Sequence, residues 1–143
     1  MPHFTNYELI EKAKTVLYHR ELYLGNRAGD VACALLSERG HIYLGVCLDI
    51  GSGIGFCAEH SAIAAMITAG ETAISRVVAV SWDGKVLPPC GRCRELMYEI
   101  DPSNLTSTQV ILGEEQVVSL KDLLLHPYHE VWGETSIPSD QGS

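Results

Sequence analysis

Four residues of this chain combine types and spacings that do chemistry: Cys57, Glu59, Cys90 and Cys93. Cys90 and Cys93 are three positions apart, so on a helix both thiols project from one face toward a single ion. Cys57 adds a third thiol, and Glu59 follows it in Cys57-Ala58-Glu59. Structural zinc sites close with four protein ligands, whereas three ligands leave a position for water or substrate. The set therefore reads as one catalytic Zn2+ per chain, held by Cys57, Cys90 and Cys93, with Glu59 as general acid/base beside the open position.

Each half of the pattern has a plainer reading. Cys90-x-x-Cys93 alone fits a thioredoxin-like redox pair or half of a structural zinc knuckle. Glu59 alone fits a solvated carboxylate at a helix start. Both recede when Cys57-Ala58-Glu59 and Pro89-Cys90-Gly91-Arg92-Cys93-Arg94 are taken together. The spacing also makes a geometric demand. Residues two apart on a helix of 3.6 residues per turn point different ways, so Cys57 must sit at a helix boundary for it and Glu59 to reach one site. Thiols at helix N-termini are expected to have lowered pKa values. Three thiolates leave a divalent ion net anionic, and Arg94 is the expected compensating cation. His60 fits either packing or a subunit contact, or a hydrogen bond near the thiolates. Arg92 reads as a surface or interface residue.

The elements that must position these groups follow from periodicity and breakers. Thr5-Asn6-Tyr7-Glu8 is a capping box opening a helix over residues 6–20. Strands are predicted at 31–37 and 41–48, paired as a hairpin, and further strands at 76–82, 109–112 and 116–119. Helices are predicted at 57–69, apolar almost all round and therefore central and buried, and at 90–100, with a brief one from Ser119 to about His126. Gly51, Gly53 and Gly55 lie in a loop that shapes the pocket. The order implies an α/β layer structure with a mixed five-stranded sheet, as one domain over 1–135 and a polar tail over 136–143.

At 143 residues and 46% apolar content the chain can bury one core. Its net charge of −8 disfavours a nucleic-acid footprint, which needs clustered cations. No apolar run approaches a membrane span, and no leader pattern opens the chain, so a cytoplasmic protein without a membrane partner is expected. Five cysteines without a paired spacing suit metal binding better than disulfides, with Cys33 and Cys47 as small buried hydrophobes.

The Cys57-Ala58-Glu59 and Pro89-Cys90-x-x-Cys93 segments resemble those of the zinc-dependent cytidine deaminase superfamily, and the similarity runs roughly over 31–118. The resemblance implies a compact three-layer α/β/α cytidine deaminase-like fold and a homotetramer with active sites at subunit contacts. It also implies deamination of a cytosine-type nucleoside, cytidine or deoxycytidine, to the uridine product and ammonia. In that reaction the metal acidifies a water, and Glu59 carries its proton to the ring and the leaving ammonia. Among the branches, the short blasticidin S deaminases are similar in their aromatic tail, so a nucleoside antibiotic is the alternative substrate. The different-class alternative is a catalytically idle zinc-binding oligomer, which would not need Glu59. Where the family holds ribose with Asn-x-Glu, this chain has Cys47-Leu48-Asp49, making Cys47, Asp49 and Ala58 the candidate substrate contacts. His60, Arg94 and Pro89 flank the metal, Gly29 stands where the family has an aromatic residue, and Tyr128 and Trp132 are divided between core packing and pocket closure.

Overall fold

The structure, a computed structural model, describes residues 3–131. Trp132 and the tail over 136–143 lie outside the described residues. Helix α1 (Asn6–Lys14) starts on the expected capping box, in which Thr5 accepts from the Glu8 amide at 3.0 Å and Glu8 accepts from the Thr5 amide at 3.0 Å. It ends six residues short of the expectation. Beyond Lys14 the chain turns, and the Tyr18 amide donates to the Gly29 carbonyl at 3.1 Å, so pairing with the sheet displaces the last helical turn.

That pairing continues as β1 (Arg20–Glu21) along the start of β2 (Arg27–Ser37), which forms the expected antiparallel hairpin with β3 (Ile42–Asp49). On its other edge β2 pairs antiparallel with β4 (Ile74–Ser81). The short β5 (Val86–Leu87) and then β6 (Gln109–Gly113) share the far edge of β4, β6 running parallel to it, and β7 (Gln116–Ser119) closes that side antiparallel. The mixed sheet thus contains the five predicted strands and two two-residue additions, β1 and β5.

Alternation along β2 sends successive side chains to opposite layers. Ala32, Ala34 and Leu36 meet Leu9, Ile10 and Ala13 of α1, while Cys33 and Leu35 face α2 (Ala58–Thr68) and α3 (Gly91–Ile100). Helix α2 lies close on β3 because Gly45 has no side chain; a Cβ there would stand 2.3 Å from the Ala62 amide nitrogen. The short α4 (Asn104–Ser107) was not foreseen. Its buried Asn104 accepts from the Ile74 amide at 2.9 Å and donates to the carbonyls of Met97 at 2.9 Å and Thr72 at 3.0 Å, tying the end of α3 to the start of β4. Helix α5 (Leu120–Leu123) follows the Ser119 cap.

One expectation is corrected. Helix α2 is not enclosed all round: Ala62, Ile63 and Met66 are buried, but Ala64 and Ala65 are exposed and Ile67 is 42% exposed. That outer face and α3 line an apolar groove with Phe56, Leu96 and Ile100. Among the described residues, no helix is long and apolar enough to cross a membrane.

Candidate functional site

Cys57 is the N-cap of α2, with extended backbone at φ −74° and ψ 160°, so it sits at the boundary that the Cys57–Glu59 spacing demands. Cys90 is likewise the N-cap of α3 rather than its first helical residue, at φ −70° and ψ 169°, and Cys93 lies one turn inside. The two helix starts bring the thiols together. Cys57 Sγ is 3.3 Å from Cys90 Sγ, Cys90 Sγ is 3.5 Å from Cys93 Sγ, and all three lie within 4.8 Å of one another.

A tetrahedral ion with Zn–S bonds of about 2.3 Å places its sulfurs roughly 3.8 Å apart, so the cluster fits zinc with little adjustment. The chemistry of the donors agrees. Burial pushes the Cys57 thiol up, and burial followed by the nearby Glu59 pushes Cys93 up strongly, so thiolates this close together call for a cation. The expected lowering at helix starts is met only by Cys90. Burial opposes its ionisation, but the Cys93 and Arg92 amides and the neighbouring thiols outweigh it.

Glu59, 4% exposed, is raised above the ordinary carboxylate range by burial, against the opposing effects of its own amide and of Cys93. It lines a cavity of about 530 Å3 together with Ala58, Cys57 and Cys90, and with Cys47 and Asp49 from β3. That volume suits a small molecule. Cys47 is tied down by the Val31 amide, which donates to its Sγ at 3.3 Å, while Asp49 stands exposed at the rim.

The flanking residues divide. His60 Nδ1 is 3.5 Å from Cys93 Sγ and its ring stacks on Phe56, with centroids 6.1 Å apart, so packing and a thiol contact coexist. Arg94 does not reach the thiols. Its Nε donates to the Pro89 carbonyl at 2.8 Å and a terminal nitrogen donates to Leu123 at 3.1 Å, bracing the turn into α3. Pro89 is buried in that turn. Arg92 is exposed, as a surface residue should be, and also lines the cavity. Tyr128 sits on a single 3-10 turn against α3, its amide donating to Glu95 at 3.2 Å, and is not among the described residues lining the cavity. At Gly29 no side chain is tolerated, because φ is +89° and a Cβ would meet the Tyr18 carbonyl oxygen.

Asp30 is an acidic lining residue that sequence reasoning missed, as it did the apolar Val31, Ala79, Leu87 and Pro88. Its signal was an acidic residue at the mouth of an apolar strand, on the hairpin that also carries Asp49.

A three-layer fold around one mixed sheet, with three thiols and a buried carboxyl gathered at two helix N-termini, defines an α/β protein built to hold a metal. The profile of the cytidine and deoxycytidylate deaminase zinc-binding region matches residues 6–108, and the chain belongs to that family. A cytidine deaminase of Halalkalibacterium halodurans is 32% identical over 87 residues, which span 60% of this chain and 64% of that enzyme's length. The cytidine deaminase structure from Mycobacterium leprae superimposes with a TM-score of 0.70 at 27% identity, covering 86% of this chain and all of that one. The one from Burkholderia pseudomallei gives 0.69 at 27% identity, covering 87% of this chain and all of that one.

Proposed function

We propose that this protein deaminates a cytosine nucleoside, cytidine or deoxycytidine, to the uracil nucleoside and ammonia. The observation that carries this reading is the buried Glu59 carboxyl in the cavity that the Cys57 and Cys90 thiols also line. A structural metal site has no use for a buried carboxyl at its edge, which weighs against the idle zinc-binding alternative. Zinc bound by Cys57, Cys90 and Cys93 supplies a Lewis acid that acidifies water.

Glu59 takes one proton from the attacking water on its carboxylate and delivers it to the ring nitrogen, then takes the second proton from the hydroxyl so formed on the ring carbon and delivers it to the amino group, which leaves as ammonia. Its raised pKa suits a group that must hold a proton between two transfers. Cys47 and Ala58 form the wall beside the base, and Asp49 at the rim accepts hydrogen bonds from sugar hydroxyls. His60 and Arg94 keep the thiols in place, one through Cys93 and the other through the Pro89 turn.

The apolar groove on α2 and α3 supports assembly with further copies, for which we adopt a homotetramer, in the cytoplasm. The relatives named above are cytidine deaminases, and the antibiotic-deaminase alternative draws no support from them.

An ammonia-release assay across cytosine, cytidine, deoxycytidine, blasticidin S and aminopurines tests the reading. Turnover of cytidine or deoxycytidine is expected; zinc-loaded protein inert toward both would overturn it.

A further inference from the structure

The anionic rim of the cavity is built by more than Asp49. Between Ala28↔Leu48 and Ala32↔Val46 the register of β2 against β3 shifts, so Gly29, Asp30 and Val31 stand opposite Cys47 alone. A bulge of this kind bends a strand and re-aims its side chains. Here it is held on both sides: Gly29 packs under Tyr18, and the Val31 amide binds Cys47 Sγ. The bulged Asp30 lines the cavity. Its Oδ1 is 2.6 Å from His19 Nδ1, and His19 Nε2 is 2.9 Å from Glu21, so the imidazole bridges two carboxylates. These three side chains together are net anionic whether or not the ring is protonated, with Arg27 standing across from Glu21 in β1 and from Asp49 in β3.

Three thiolates on a divalent ion are also net anionic, and Asp49 adds a further negative charge on the same wall. Arg92 is the one cationic lining residue among those described. The cavity therefore opposes a substrate bearing a dianionic group, since like charges within a few ångströms repel even near solvent. The matching family covers both cytidine and deoxycytidylate deaminases, so membership alone leaves this choice open.

We propose that Asp30, carried into the cavity by the β2 bulge and tied back by His19, is a specificity-determining residue that with Asp49 excludes 5'-phosphorylated nucleosides. The inference rests on reading the cavity as a cytosine-nucleoside site, and its test is built to fail separately from that reading. Calorimetric binding of the products uridine and uridine 5'-monophosphate to the zinc-loaded protein reads discrimination without turnover. Wild type should bind uridine at least about 10-fold more tightly than the monophosphate, a ratio that Asp30→Asn shrinks severalfold.

Glu38→Gln controls for net charge, because Glu38 is exposed just past the far end of β2, and it should leave the ratio unchanged. Equal wild-type affinities, an unchanged ratio in Asp30→Asn, an equal shift in Glu38→Gln, or no binding of either ligand would each overturn the proposal. Discrimination that behaves as expected in a protein that deaminates nothing would retain the anion-excluding rim and discard the reaction.

Discussion

The Sγ atoms of Cys57 and Cys90 lie 3.3 Å apart although 33 residues separate them in the chain. Each caps a different helix with extended backbone, and each stands on the same side of the sheet. The metal centre is thus a junction of two helix starts, and removing any one thiol should open it.

Cys90→Ala is accordingly expected to drop zinc well below the one equivalent per chain of the wild type and to lower Tm, because metal binding is coupled to folding. Elemental analysis and thermal melts on the same preparation check both. A variant retaining full zinc would remove Cys90 from the ligand set.

Glu59→Gln keeps the shape of the side chain and deletes its ability to carry a proton. Turnover should fall by about 10² to 10⁴-fold while zinc content and the melting profile stay near wild type. Measured activity close to wild type would return Glu59 to a structural role.

Asp49→Asn should raise KM for the nucleoside by about 10-fold with kcat little changed, since a sugar contact at the rim serves ground and transition states alike. Steady-state kinetics with cytidine and deoxycytidine provide the check. Unchanged kinetics for both would place the sugar elsewhere.

Away from the site, Glu71 is buried where the loop after α2 meets the β2–β3 hairpin. Burial opposes its ionisation, but Tyr43 at 2.5 Å and His41 at 2.8 Å, with Ser37, outweigh it and hold its carboxyl down at about 2. A carboxyl depressed in the folded state contributes stability that is present above its unfolded pKa and lost as pH falls through the folded one. Glu71→Gln should therefore lower Tm at pH 7, with the gap from wild type narrowing below about pH 4.5 and closing toward pH 2. Melts of the two proteins across that range test it, because acid loss of metal affects both alike.

Local signals in the sequence reported what local physics controls. The Thr5–Glu8 box, the β2–β3 hairpin and the placement of Cys57 at a helix boundary follow from hydrogen bonds and rotations within a few residues of one another. The chemistry of the site was legible for the same reason: thiol and carboxylate types at fixed spacing limit what can meet one ion. Tertiary structure decided what depends on distant partners. Helix α1 stops at Lys14 because Tyr18 finds Gly29, eleven residues on. Arg94 turns from the thiols because the carbonyls of Pro89 and Leu123 converge on it. The apolar outer face of α2 is uncovered because the sheet takes only one side of that helix, which composition cannot tell from full burial. Asp30 enters the cavity through a three-against-one bulge, a property of the pairing of two strands that neither strand carries alone.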